Sequence, residues 1–177
     1  ESTDSINSGF EEVMKEGPIC KEQMRDCKFT FTHFVPHEDT AHRGLSQLGP
    51  ASRRACMGAL LTAGTTMLEP MLAIEIRVPT DLVGNVATVL SGKRGKVLDM
   101  VQKGASSIIV GEIPAAETFT LSEAMRGQTA GRATWNTSFK AWTELPKSIA
   151  TTAIAEIRKR KGLAPEPPGI DEYIDRE

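Results

Sequence analysis

Between residues 71 and 142 the hydrophobic pattern switches repeatedly between a period of two and a period near 3.6, and this alternation constrains the fold more than any other feature of the chain. MLAIEIRVP reads as a strand, TDLVGNVATVLSGKRG as a helix, KVLDMVQKG and SSIIVGEIP as two strands, ETFTLSEAMRGQTAG as a helix and RATWNTSFKAW as a last strand. The final strand sets Ala133, Trp135, Thr137 and Phe139 against Thr134, Asn136 and Ser138. The order β-α-β-β-α-β predicts an antiparallel sheet with both helices on one face, a ferredoxin-like α+β sandwich.

The flanking residues supply a second unit. Ile6, Phe10, Val13 and Met14 make an apolar stripe on a helix that Asp4 or Ser5 can cap and Gly17-Pro18 ends. Alternation of Cys27, Phe29, Phe31, His33 and Val35 with Lys28, Thr30 and Thr32 predicts a half-buried strand, on whose phenylalanine face His33 is a hydrogen-bonded core residue. Pro36 to Gly49 shows neither period and reads as a loop long enough to suggest function. Pro50 then opens a helix with Ala51, Ala55, Ala59 and Leu60 inward and Gly64 as its cap. After Pro146 a last helix lines up Ile149, Ala153 and Ile157, ends in RKRK, and leads into an acidic, proline-rich, extended tail.

Several function classes drop out. No apolar run approaches the roughly 20 residues needed to span a bilayer. Cys20, Cys27 and Cys56 are odd in number and form no C-x-x-C pair, which fits neither a zinc ribbon nor a disulfide framework. SGKRGK lacks the glycine spacing of a phosphate-binding loop, and no nucleophile elbow occurs. The opening ESTDSINSGF has neither a methionine nor a signal core and reads as the interior of something longer.

HEDTAHRG, residues 37–44, concentrates the remaining chemistry. A zinc helix needs its histidines at i and i+4, whereas His37 and His42 are five apart, roughly 140° apart on a helix. A loop could still gather His37, Asp39 and His42 around a metal, the reading of a small metal-dependent hydrolase. The other reading is a projecting polar tip. With a net charge of −2 the chain has no bulk attraction for phosphate, so contact with RNA must come from local clusters. One comprises Arg53 and Arg54 behind the loop; another, Lys93, Arg94 and Lys96, reads equally as a solvated turn; the third, Arg158 to Lys161, already suits a helix C-terminus. A ferredoxin-like regulatory domain with a small ligand is a further possibility.

Eight segments, in order, resemble the ribosomal translocase family, elongation factor 2 of archaea and eukaryotes, with bacterial elongation factor G more distant. They are SGFEEVMKEGPICKEQMRD, HEDTAHRG (the family's H-x-D-x-x-H-R-G loop), PASRRA, LEPM, KRGKV, PAAETF, MRGQTAGRA and RKRKGL, and the archaeal branch is the nearer likeness. The resemblance implies a C-terminal fragment: residues 1–67 from the fourth domain, 68–146 as the ferredoxin-like fifth domain, and 147–177 as a helix and tail packing back on the fourth. It implies GTP-dependent translocation of tRNA and mRNA by the full-length cytoplasmic protein, with GTP and Mg in a GTPase domain outside these residues. The fragment itself would be monomeric, free of cofactor, metal and catalytic residues, and never membrane-bound. Its partners would be the ribosome, rRNA, tRNA and mRNA at the decoding site, and the diphthamide-synthesis enzymes. His42 maps to the family's diphthamide histidine; His37, Asp39, Arg43 and Gly44 belong to the tip loop, whose shape Asp39, Arg43 and Gly44 set, the glycine through φ > 0 near RNA; Arg53, Arg54, Lys93, Arg94 and Lys96 are RNA-binding candidates. The chain departs from the family at Thr40-Ala41 and Leu45-Ser46, and has Phe119-Thr120-Leu121 where an aromatic-glycine turn is usual.

Overall fold

A computed structural model describes residues 2–174. The chain divides into two compact units, residues 1–67 with 146–177, and residues 68–145.

The second unit is α+β. Its strands β1 (Leu68–Pro79), β2 (Lys96–Lys103), β3 (Ser106–Pro114) and β4 (Thr134–Glu144) form an antiparallel sheet in the order β2-β3-β1-β4. Helices α3 (Val83–Gly92) and α5 (Leu121–Thr129) follow β1 and β3, with the single turn α4 (Ala115–Thr118) between β3 and α5. Period-two alternation sends Ile74, Ile76 and Val78 of β1 and Ile109 and Ile113 of β3 into one core with Val86, Val89 and Leu90 of α3 and Leu121 and Met125 of α5. Each of these fully buried side chains contributes about 1.5–3 kcal/mol relative to exposure. The expected strand order stands, with one face shortened: Ala133 is buried and Trp135 packs on the core, but Phe139 is exposed and meets Trp142 at 6.0 Å between ring centroids. The register of β1 and β4 shifts between Met71 and Leu72, which leaves Lys140 as the extra residue of a bulge in the edge strand.

In the first unit, α1 (Ser2–Lys15) and α2 (Leu45–Thr62) run side by side. They approach closely at Gly9, where a built Cβ would lie 2.3 Å from the Gly49 carbonyl oxygen. Val13, Met57 and Leu60 form the small core, joined by Met24, Phe29, Cys56 and Tyr173. Helix α6 (Lys147–Arg160) is tied to the 19–22 segment: buried Arg158 donates to the Ile19 carbonyl and to that of Ala164, and Lys161 Nζ donates to the carbonyls of Cys20 (2.9 Å) and Lys21 (2.8 Å). The basic end of α6 therefore serves as a clamp as well as complementing the helix dipole.

Several expectations for this unit are corrected. The alternating segment 27–35 is not a strand, because the described residues of the unit hold no second strand to pair with it and a lone strand leaves its backbone groups to water. Phe29 alone is drawn inward, edge-on to Phe10 at 5.3 Å, while Phe31, Phe34 and Val35 are exposed. His33 is exposed as well, not a core residue. Helix α2 starts at Leu45 and carries Pro50 within it; the proline removes one amide donor, while Gly44 carries the helix start by accepting from the amides of Gln47 and Leu48. Its buried residues are Gly49, Met57, Gly58 and Leu60, while Ala51, Ala55 and Ala59 are exposed. Helix α1 already begins at Ser2, so Asp4 and Ser5 sit in its first turn and are not its caps. Gly64, at φ +77°, follows the end of α2 as expected. The tail is extended only to Gly169; Ile170–Glu172 form a short turn, Tyr173 packs on the small core, and residues 175–177 lie outside the described residues.

Candidate functional site: a polar tip loop

The loop ahead of α2 is organised by hydrogen bonds of its own. Asp39 sits in an extended conformation and its Oδ1 accepts from the Ala41 amide at 2.9 Å, capping a 3-10 turn over Thr40–Arg43. Arg43 folds back across the turn, its Nε donating to the His37 carbonyl (2.6 Å) and its Nη2 to the Glu38 carbonyl (2.9 Å). His37 Nδ1 in turn accepts from the Asp39 amide at 3.1 Å. His37, Asp39 and Arg43 are thus engaged in hydrogen bonds within the loop.

His42 is presented by this frame. Its side chain is 48% exposed, and its neighbours are polar. The His37 ring stands edge-on at 4.7 Å, Nδ1 lies 3.0–3.1 Å from the Gln47 amide group, and Nε2 lies 4.0 Å from Asp39 Oδ2. Gln47 was missed in the sequence because it falls in a segment read as loop; once α2 starts at Leu45, its first turn sets Gln47 beside the tip. Gly44 is not at positive φ: with φ −77° and ψ 168° it is extended backbone, and nothing lies within 4 Å of a Cβ built there. Its use is as the entry to α2. A cleft of about 630 Å³ opens between the loop and the start of α1, lined in part by Ser5, Ser8, Thr40 and Arg43.

The three-residue metal set is not assembled. Although the turn brings His37 and His42 together, His37 Nδ1 and Asp39 Oδ1 are occupied by backbone amides, and among the described residues no group of three His, Cys, Asp or Glu side chains is placed to hold an ion. Two of the three thiols are disfavoured as nucleophiles: burial raises the pKa of Cys20, outweighing Arg158 and Lys161, and that of Cys56, outweighing a hydrogen bond with Ser52.

The basic residues fall into distinct environments. Arg53, on α2, has its Nε 3.5 Å from Glu12 of α1, and Arg54 Nε donates to the Tyr173 carbonyl at 3.1 Å. In the second unit Arg94 is consumed internally: at φ +55° it forms a bidentate pair with buried Glu69 (2.8 and 2.9 Å), and its Nε donates to Glu117 at 2.8 Å. The hydrogen bonds that Arg94 donates to Glu69 raise the guanidinium pKa further above its ordinary value against the opposing effect of burial. Arg94 is a structural clip between α4, β1 and the 93–95 turn, not an available cation, which the sequence pattern could not distinguish from its neighbours. Lys93 reaches Thr120 Oγ1 at 2.5 Å, and Lys96 is exposed at the start of β2.

With this geometry in view, the comparisons are specific. Residues 1–64 match the family profile "Elongation factor G, domain IV" and residues 66–153 match "Elongation factor G C-terminus", so the class is that of the translational elongation factors, in two adjoining regions of the type. The chain is 77% identical over all 177 residues to Elongation factor 2 of Cenarchaeum symbiosum (strain A) and 44% identical over 174 residues to that of Staphylothermus marinus. A crystal structure of a protein from Thermus thermophilus superposes with a TM-score of 0.72 at 25% identity, over 89% of this chain and 24% of that one. The chain belongs to the elongation factor G and elongation factor 2 family. It spans about a quarter (24%) of the length of the curated relatives it matches.

Proposed function

We propose that this chain is the ribosome-binding C-terminal part of an archaeal elongation factor 2, and that its 37–44 loop enters the decoding site during GTP-dependent translocation of tRNA and mRNA. The observation that carries this reading is the build of the loop: its shape is fixed by Asp39 and Arg43, and an exposed imidazole stands at its turn among polar groups. A loop ordered in advance loses less conformational freedom on entering a ribonucleoprotein cleft. A histidine buried in a core could not make that contact.

In this reading His42 is the residue converted to diphthamide, and the added positive charge and length meet RNA backbone. The modifying enzymes are then partners of the loop, and the protein works in the cytoplasm as a monomer. Arg53 and Arg54, behind the loop, supply phosphate contacts. Hydrolysis of GTP, with its magnesium, belongs to the part of the relatives' length beyond this match, and these residues perform no catalysis. The metal-dependent hydrolase draws no comparable support, since two of its three ligands are engaged by backbone amides.

Co-sedimentation of the chain with purified archaeal ribosomes tests the proposal. Binding should weaken with rising salt, and replacing both Arg53 and Arg54 by Gln should flatten that dependence. Mass spectrometry of the 37–44 peptide from an archaeal source should find the modification on His42. A chain that stays in the supernatant at low salt refutes the reading.

A further inference from the structure

Gln47 is the third helical residue of α2, a position from which a glutamine ordinarily reaches back to the amide of its N-cap. Here it passes that residue, Gly44, and spends its side-chain amide on His42, five positions earlier. Its own backbone is anchored, since the Gln47 amide donates to the Gly44 carbonyl at 3.1 Å. The imidazole is thereby held at three points. Nδ1 lies 3.0 Å from Gln47 Nε2 and 3.1 Å from Oε1, Nε2 lies 4.0 Å from Asp39 Oδ2, and the His37 ring stands edge-on at 4.7 Å. Asp39 is itself fixed through Oδ1, which accepts from the Ala41 amide, and the adjacent cation, Arg43, is committed to the His37 and Glu38 carbonyls.

These contacts choose between the two neutral forms of the ring, because the nitrogen that bears the proton is set by what the other nitrogen meets. With the proton on Nδ1, that nitrogen donates to Gln47 Oε1, and Nε2 is left with a bare lone pair beside the Asp39 carboxylate. With the proton on Nε2, Gln47 donates from its Nε2 to the lone pair of Nδ1, and the N–H of the ring is the group nearest Asp39. At 4.0 Å Asp39 makes no hydrogen bond, but its charge still favours the second form. We infer that Gln47 is a positioning residue for His42, building on the reading above that His42 is the modified residue: its amide donates to Nδ1, secures the proton on Nε2 and holds the ring in one orientation at the tip. Gln47 could serve either form by turning its amide over; Asp39 decides between them, and Gln47 locks the result. A role confined to starting α2 would leave the imidazole free to swing. A side chain of the same length and helix propensity but without the amide therefore separates the two roles.

Nitrogen magnetic resonance of the unmodified 177-residue chain tests this at about pH 9, where an ordinary imidazole is neutral. His42, identified by its loss in His42→Ala, should show Nδ1 unprotonated and Nε2 protonated, with a nuclear Overhauser contact to the His37 ring. Gln47→Glu offers only acceptors, closer to the ring than Asp39, and should move the proton to Nδ1. Gln47→Met keeps α2 intact by circular dichroism, while the contact with His37 should weaken about fivefold, the worth of one exposed neutral hydrogen bond. An unmoved proton in Gln47→Glu, or an undiminished ring contact in Gln47→Met, overturns the positioning role. With purified diphthamide-synthesis enzymes, Gln47→Met should show a saturating rate about fivefold lower and an unchanged half-saturating concentration; equal saturating rates overturn the role as well. If the parent chain is not modified at all, the reading of His42 fails while the ring assignment stands. If the resonance results fail in a chain that is modified, this inference fails alone.

Discussion

Replacing Gly9 by alanine should break the helix pair that carries the tip loop. The new methyl carbon would lie 2.3 Å from the Gly49 carbonyl oxygen, 2.7 Å from the Arg53 amide nitrogen and 2.9 Å from Ser52 Cβ. Two of these are backbone atoms of α2, so no change of rotamer relieves the overlap and the helices must separate. Overpacking of this kind costs about 3 kcal/mol, the upper end of its usual range, because the obstruction is main chain. Alanine's better helix propensity offsets about 1 kcal/mol, leaving about 2 kcal/mol of destabilisation. For a unit near 100 residues that is a fall of roughly 10 °C in Tm. Gly127, inside α5 with nothing within 4 Å of a built Cβ, is the control: Gly127→Ala should stabilise by about 1 kcal/mol. Both tryptophans, Trp135 and Trp142, lie in the 68–145 unit, so tryptophan emission follows that control, while far-ultraviolet circular dichroism follows the loss of α1 and α2. If Gly9→Ala melts at or above the parent temperature, the close approach of α1 and α2 is wrong.

Other substitutions probe single links. Arg94→Met strips buried Glu69 of its bidentate partner and should destabilise the 68–145 unit by about 3 kcal/mol, the low end for a broken buried pair since Arg94 is partly exposed; Arg94→Met with Glu69→Met should recover most of it in urea melts. Asp39→Ala removes the cap of the tip turn, and should speed amide exchange at Ala41 and His42 while shifting global stability by under about 1 kcal/mol. Buried Cys20 and half-buried Cys56 set a pH limit. Burial raises Cys20 and Cys56 above the ordinary value of 9.0, so the unfolded chain loses its thiol protons first and stability, complete below pH 9, declines as pH climbs through the folded values; Cys20→Ala with Cys56→Ala should flatten that decline. In thiol-labelling kinetics, exposed Cys27 should react first.

How far the sequence could be read depended on whether its patterns were completed within the chain. Between residues 68 and 145 each strand has its neighbour, so the alternation of Ile74, Ile76 and Val78 translated directly into inward positions and the sheet order followed. The same period at residues 27–35 misled, because alternation records which side chains can be buried and says nothing of whether a pairing strand is there. Pro50 misled in another way: proline is favoured in a first helical turn, but here an apolar face shared with α1 carries the helix through it at the loss of one hydrogen bond. In the loop, Asp39 and Arg43 were singled out through the family resemblance, whereas the conformation of Gly44 and the contact made by Gln47 depend on where α2 begins. Arg94 could not be told from Lys93 by its neighbours in sequence, since Glu69 and Glu117, 25 and 23 residues distant, are what distinguish it.

Carbethoxylation of histidine, mapped by mass spectrometry with and without purified archaeal ribosomes, tests the central claim most directly. His42 is open to the reagent in the free chain, and the account predicts that it becomes protected in the ribosome-bound fraction and that protection disappears when salt releases the chain. Equal reactivity of His42 in the free and bound fractions would contradict it.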